Sequence, residues 1–223
     1  MKIVSFTPIK LNNQRLPGKN IAPLGPEKKP LCSYLFNTLK DVDWLDGRYV
    51  FCSDDAFRPY VPEWMTFLKR DKSLDLPTVR GLQIIEAFLN VVEADVYMIC
   101  HVTAPFIRAE TISKAIAAMR TGKYDSAFTA EFVQDYMWYD GKPVNYDPSD
   151  IVTTQNLKPV CIEKGEVFIF TRELFKTHRR RIGFKPYIQE VSEFEAVDID
   201  TPEDYEFAQS VASHFAQQPK ARK

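Results

Sequence analysis

The sequence has no long apolar run, little glycine, few cysteines and almost no net charge. No stretch of its 223 residues approaches the roughly 20 consecutive apolar residues that a membrane-spanning helix needs. Glycine numbers only 8, without repeats or low-complexity tracts, in a chain that is 45% hydrophobic and 26% charged. That mixture excludes a fibrous or disordered protein and describes a globular one. Lys and Arg total 29 against 30 Asp and Glu, for a net charge of -1, which argues against binding DNA or RNA through a general electrostatic field. Cys32, Cys52, Cys100 and Cys161 form no C-x-x-C pair and have no nearby histidine to complete a zinc set. Cys52 and Cys100 end the apolar runs YVFC and YMIC, where buried, inert thiols are expected. The opening MKIVSFTP reads as a strand, too short and too polar for a signal-peptide core, so the expected location is the cytoplasm.

What is present alternates between strand-like and helix-like segments. Strands are expected at Lys2–Pro8, Arg48–Ser53, Val96–His101 and Asp125–Ala130, and helices at Pro30–Val42, Leu76–Val92 and Ala109–Arg120. Each helix carries a core face at helical spacing: Leu31, Leu35 and Leu39, then Ile85, Phe88, Leu89 and Val92, then Ile112, Ile116 and Met119. Val96–His101 is nearly continuous apolar sequence, the kind buried on both faces of a parallel sheet. This alternation implies βαβ units with right-handed crossovers, hence the α/β class. After Ala130 the pattern changes. Asp140-Gly141 between aromatics in Tyr136–Tyr146 predicts a β-hairpin. Asn145–Lys158 reads as loop, and Glu166–Thr171 and Glu195–Asp200 as two more strands. Thr201-Pro202-Glu203-Asp204 opens a last helix, with Thr as N-cap and acids at its positive end. The tail Gln217–Lys223 is expected to fray. The length suits a single domain over 1–223.

Two constellations carry chemistry. The first 26 residues hold Lys2, Lys10, Arg15 and Lys19 and no acid. A neutral chain has therefore concentrated positive charge in the loop after its first strand, within Phe6–Asn20 (FTPIKLNNQRLPGKN). Ligands of open α/β sheets bind at the carboxyl ends of strands, and fixed cations with free backbone N–H groups suit a polyphosphate. The same charges also fit an ordinary solvated loop. The second constellation is Asp198-Ile199-Asp200. Residues two apart on a strand share a side, and Mg²⁺ favours one or two carboxylates plus substrate phosphates and water. The alternative is that one Asp caps the following helix and the other is solvated. Together the features are specific, because nucleotidyl transfer requires both. His101 is either a pocket residue or a strand-end histidine satisfied by backbone; His178 and His214 read as surface.

Four blocks, in order, resemble the acylneuraminate cytidylyltransferase family. They are Arg15-Leu16-Pro17-Gly18-Lys19-Asn20 after the first strand, Cys52-Ser53-Asp54-Asp55, His101-Val102-Thr103-Ala104-Pro105-Phe106-Ile107-Arg108, and EAVDIDTPEDY at Glu195–Tyr205. The resemblance implies a three-layer Rossmannoid nucleotidyltransferase (GT-A-like) fold, with a small β-rich dimerisation lobe over 131–165 that reaches the neighbouring subunit's site. It implies transfer of a cytidylyl group from CTP to a nonulosonic or related 2-keto acid sugar, with Mg²⁺ required and pyrophosphate released. By the same resemblance Lys10, Arg15 and Lys19 hold the triphosphate, and Asn12 and Asn20 are nucleotide contacts. Arg70 lies near the base or ribose. His101, Thr103 and Gln155 face the substrate. Asp198 and Asp200 bind Mg²⁺ and share the catalytic work with the three cations. A homodimer is implied, with no nucleic-acid or membrane partner.

The chain also departs from the family. Where the family reads R-G-G-S-K, this chain has Lys10-Leu11-Asn12-Asn13-Gln14. The glycines that reach positive φ most easily are gone, although Asn tolerates the left-handed region better than most residues. Lysine for arginine gives up bidentate phosphate geometry. His101 stands for the usual Gln and Ala104 for Ser, while Thr153 and Lys164 replace an Arg and an Asn in Thr153–Gly165. These changes are compatible with phosphate binding but bear on nucleobase and sugar specificity, and they point to a sugar other than N-acetylneuraminic acid. They also keep open another NTP, a phosphosugar acceptor, or a nucleotide-binding protein that has lost catalysis.

Overall fold

Alternate residues of the first strand divide between two apolar cores, and that division organises the molecule. The computed structural model describes residues 1–217. Its elements run β1 (Ile3–Ile9), β2 (Pro23–Leu24), β3 (Lys29–Pro30), α1 (Leu31–Lys40), β4 (Gly47–Cys52), β5 (Thr66–Lys69), α2 (Gly81–Leu89), β6 (Val96–Cys100) and α3 (Ala109–Arg120). There follow β7 (Ser126–Val133), β8 (Trp138–Tyr139), β9 (Lys142–Pro143), β10 (Val160–Thr171), α4 (Arg172–His178), β11 (Pro186–Glu190) and α5 (Pro202–Gln217). From β1, Ile3 and Ile9 enter one core with α1 and α3, while Val4 and Phe6 enter the other with α2 and α4. β6 splits the same way, Val96, Met98 and Cys100 to one side and Tyr97 and Ile99 to the other, as its unbroken apolar sequence requires. The result is three layers, helices on both faces of a sheet.

Seven strands make that sheet, in the order β11–β7–β10–β6–β1–β4–β5. β1 is parallel to β4 and β6, β4 to β5, and β11 to β7, while β10 runs antiparallel between β6 and β7. The chain leaves β1 toward β4 and returns at β6 on the other side of β1. Such a reversal of strand order opens the crevice where doubly wound sheets bind ligands. No helix among the described residues is long and apolar enough to cross a membrane.

Three segments differ from the sequence expectation. The helix expected from Leu76 starts only at Gly81, because Pro77 disfavours helical backbone at the residue before it and Leu76 is extended (φ -60°, ψ 144°). Glu195–Asp200 joins no sheet among the described residues: β11 pairs with β7 at the sheet edge, and Ile199 N–H bonds instead to Thr103 O at 2.8 Å. The expected strand at Glu166–Thr171 reaches back to Val160. The hairpin is formed, with Asp140 (φ 50°) and Gly141 (φ 72°) both left-handed, the backbone that a two-residue type I′ turn requires. Thr201 caps α5 by accepting from Asp204 N–H at 3.2 Å, and the Asp204 carboxylate accepts from the backbone of Asp200 and Thr201 in return. Gln217 ends α5, and the rest of the tail expected to fray, residues 218–223, lies outside the described residues.

Candidate active site

A cavity of about 340 Å³ opens at the carboxyl ends of β1 and β6, lined in part by Lys10, Lys19, Asn20, His101, Thr103, Asp198 and Asp200. Three distant stretches of chain meet there. Lys19 is buried, and its Nζ donates to Ile199 O and to Asp200 Oδ1, both at 2.8 Å. Arg15 Nη2 reaches Asp200 Oδ2 at 2.7 Å. Partial burial opposes ionisation of Asp200, but Lys19 and Arg15 outweigh it and hold the carboxyl below its ordinary value. Two of the three cations expected on a triphosphate thus close on Asp200, while the Lys10 side chain lines the cavity with no ion pair among the described residues. Asn20, 4% exposed, donates from Nδ2 to Lys10 O at 2.7 Å and fixes the loop from inside. Within that loop only Gly18 (φ 69°) is left-handed, so the path makes no such demand on Asn12 or Asn13.

Asp198 is exposed and makes no hydrogen bond or ion pair among the described residues. Val197 and Ile199 are buried on either side of it, so Asp198 and Asp200 share the cavity side although they belong to no strand. The helix-capping acid is Asp204, which leaves this pair for other work. No cluster of three or more His, Cys, Asp or Glu suited to a metal occurs among the described residues. A pair of carboxylates, one of them unengaged, still fits Mg²⁺, which takes few protein ligands and completes its shell with phosphate and water. The His101 imidazole makes no hydrogen bond among the described residues and lines the cavity, which favours the pocket reading. Burial, then the charges of Arg181 and Lys19, push it down to about 4 against the pull of Asp200, so it is neutral at pH 7.

Three expected residues lie elsewhere. Asn12 lines a separate cavity of about 500 Å³ with Ser53, Asp54, Asp55 and Lys69 at the ends of β4 and β5. Arg70 is sealed behind it, its side chain 2% exposed and paired with Asp75 at 2.5 Å; Nε and Nη1 have no partner among the described residues. Gln155 is exposed in the lobe, where its backbone O accepts from Gln134 Nε2 at 3.0 Å.

Sequence reasoning missed several neighbours of the site. Arg181 and Phe168 line the main cavity, and so does Gly165, where a Cβ would stand 3.6 Å from Asp198 Oδ2. A second, apolar cavity of about 420 Å³ shares Pro8, Ile84, His101 and Arg181 with the first. Glu166 is fully buried with neither carboxylate oxygen hydrogen-bonded among the described residues. Its burial, and secondarily the Asp198 charge, push it up to about 7. An acid opening the otherwise apolar run EVFIF is the one signal of that environment in the sequence.

Cations on the loop after the first strand and an acidic pair before the last helix are thus parts of one cavity. A cytidylyltransferase family model matches residues 8–220. The chain belongs to the cytidylyltransferase family. Its fold is similar to CMP:2-keto-3-deoxy-manno-octonic acid synthetase complexed with CTP, at TM-score 0.74 and 16% identity over 97% of this chain and 99% of that one. It is similar also to 4-diphosphocytidyl-2C-methyl-D-erythritol synthase from Anaerococcus prevotii, at TM-score 0.65 and 14% identity over 97% and 96% of the two chains. The bifunctional IspDF from Campylobacter jejuni matches at TM-score 0.66 and 14% identity over 92% of this chain and 54% of that one. No curated protein sequence matches significantly. At these identities the structures establish the fold of this cytidylyltransferase, a mixed-sheet nucleotidyltransferase architecture.

Proposed function

We propose that this cytidylyltransferase transfers the cytidylyl group of CTP to a nonulosonic or related 2-keto acid sugar and releases pyrophosphate. The observation that carries the reading is the single cavity in which Lys10 and Lys19 face Asp198 and Asp200. The structural neighbour named for a 2-keto acid sugar supports an acidic acceptor. The neighbour named for a diphosphocytidyl methylerythritol favours, as a second reading, a phosphorylated polyol or sugar.

In the proposed reaction the anomeric hydroxyl of the sugar attacks the α-phosphorus in line, opposite the departing pyrophosphate. Lys10, Arg15 and Lys19 offset the charge growing on that leaving group. Because Asp200 engages Arg15 and Lys19 beforehand, the two cations are already positioned when the triphosphate arrives. Asp198 and Asp200 would hold Mg²⁺, which supplies polarisation of the α-phosphate when bound. Neutral His101 offers one donor and one acceptor to the substrate, with Thr103 beside it. The lobe over 131–165 supplies the surface for a homodimer.

A matrix of the four NTPs against 2-keto acid sugars, read by pyrophosphate release with Mg²⁺, tests this. CTP with an acid sugar is the productive pair. No release from any acid sugar overturns the reading, and release only with a sugar or polyol phosphate establishes the second one. Asp200→Ala lowers turnover by about 100-fold or more, in the range of lost electrostatic groups at transition states, with an unchanged circular dichroism spectrum. Retained turnover would remove Asp200 from the metal and catalytic roles.

A further inference from the structure

Arg179, Arg180 and Arg181 follow α4 and as sequence resemble a solvated basic run. The fold separates them. Arg179 pairs with Glu86 at 2.8 Å and Arg180 lies over the Phe184 ring, both exposed. Arg181 turns inward. Its guanidinium carbon stands 3.6 Å from the centroid of Phe168, its Nη2 donates to Glu163 Oε1 at 3.0 Å, and its side chain is 35% exposed. It lines both the main cavity and the apolar one, at the wall they share with His101. Stacking on an aromatic face fixes the plane of a guanidinium. The tether to Glu163 uses one of its five N–H donors, which leaves the others for a ligand.

The sheet says which end of the reaction this residue meets. Ile99 of β6 is the register partner of both Phe6 on β1 and Phe168 on β10. Phe168 therefore stands two strand spacings, roughly 10 Å, from β1. The loop carrying Lys10, Arg15 and Lys19 leaves from β1, and Arg181 rests on β10. In-line transfer keeps the acceptor and the departing pyrophosphate on opposite sides of the α-phosphorus. With the loop cations on the leaving-group side, a guanidinium on the far side meets the acceptor. We propose that Arg181 is a specificity-determining residue that binds the carboxylate of the acceptor, a planar two-oxygen group matched to a guanidinium edge. This rests on the acid-sugar reading above and names the group that reads the acid. Ile84, Ile85 and Ile99 on the adjoining apolar wall lower the local dielectric on one side of the guanidinium, which strengthens the charge pairing.

The test compares wild type with Arg181→Gln and Arg181→Lys, using the acid sugar that wild type turns over and the C1 amide of that sugar. Arg181→Gln raises KM for the acid roughly 10- to 100-fold, the loss expected for one charge-assisted contact. It also brings the acid-over-amide preference near unity and leaves the calorimetric Kd for CTP unchanged, which shows that the variant is folded. Arg181→Lys keeps part of the preference. An undiminished preference in Arg181→Gln overturns the assignment while the functional reading stands, and weakened CTP binding overturns it by placing Arg181 on the nucleotide. If wild type releases no pyrophosphate with any acid sugar, the functional reading falls first. Titration of the CTP-saturated protein with 2-keto-3-deoxyoctonate then decides Arg181 separately: binding abolished by Arg181→Gln supports it, and absent or unaffected binding overturns it.

Discussion

The cation-bearing loop of residues 10–20 and the lobe tip of residues 134–159 hold their shapes by different means. The loop has almost no regular backbone, only the 3-10 turn Lys19–Ile21. Its end is nonetheless tied to a segment some 180 positions away, through Lys19 to Ile199 O and Asp200 and through Arg15 to Asp200, and Lys19 and Asn20 are buried. The lobe tip has a well-formed hairpin, but its side-chain contacts are local. Trp138 Nε1 donates to Tyr146 Oη at 2.8 Å, Asn145 Nδ2 donates to Asp135 O at 2.8 Å, and the Tyr136 and Tyr146 rings meet edge on. Trp138 and Tyr139 are 58% and 78% exposed. Backbone regularity therefore does not rank the two regions. Long-range anchoring gives the loop a fixed geometry, while the lobe carries apolar area that its own chain leaves uncovered.

The comparison breaks most visibly at Lys19. Lys19→Met keeps the stem and removes both charge-assisted bonds, leaving the Ile199 carbonyl unpaired. Pyrophosphate release is expected to fall about 100-fold or more, and urea unfolding to show a loss of about 1–3 kcal/mol, the cost of stranding buried partners. A variant that loses neither would mean that the anchoring is incidental.

Glu166 sharpens the comparison at the foot of the lobe. It lies on β10 beside the register shift between Glu163 and Phe168, where the lobe's strand becomes the core's. Burial raises its carboxyl from 4.5 to about 7 in the folded protein. A raised folded-state pKa gives a contribution fully present below pH 4.5 and lost as pH rises through 7. At about 1.4 kcal/mol per pKa unit, stability falls by about 3 kcal/mol between pH 4.5 and 8. Glu166→Gln removes that slope and is the more stable form at pH 8. Equal urea midpoints for both proteins at pH 8 would show that the carboxylate finds a partner on ionising.

How much of this could be read in advance follows the same division. The alternating strands and helices, the Asp140-Gly141 turn and the Thr201 cap rest on local patterning and were legible. So was the meeting of Lys10 and Lys19 with Asp198 and Asp200, because charge segregation marked both ends. The apolar spacing from Leu76 runs ahead of α2, because periodicity does not register the extended backbone that Pro77 favours at Leu76. Asp198 and Asp200 keep strand-like alternation without a strand, since the pattern reports burial rather than pairing. Arg181 was not legible. Its neighbours Phe168 and Glu163 come from β10 and His101 from the residue after β6, and only the fold distinguishes it from Arg179 and Arg180. Asn12 lines the cavity at the ends of β4 and β5, and Arg70 follows β5, positions that motif order alone does not distinguish from the main cavity.

The smallest effect on chain stability is expected at the lobe tip, and there the comparison is most exposed to failure. Trp138→Ser with Tyr139→Ser removes two largely exposed side chains, and within the chain it costs the exposed Trp138–Tyr146 hydrogen bond and ring contact. Unfolding of the monomeric chain should shift by no more than about 1 kcal/mol, the net worth of one exposed hydrogen bond added to an ordinary surface change. The same change should act strongly on assembly, because aromatic area of this kind is enriched in interfaces. In the proposed homodimer, sedimentation at micromolar concentration gives the dimer mass for wild type and the monomer mass for the variant. Wild type that sediments as a monomer would remove the dimer from the functional reading. A large stability loss in a monomeric variant would instead show that the hairpin packs on its own core, and the lobe would then be anchored in the same sense as the loop.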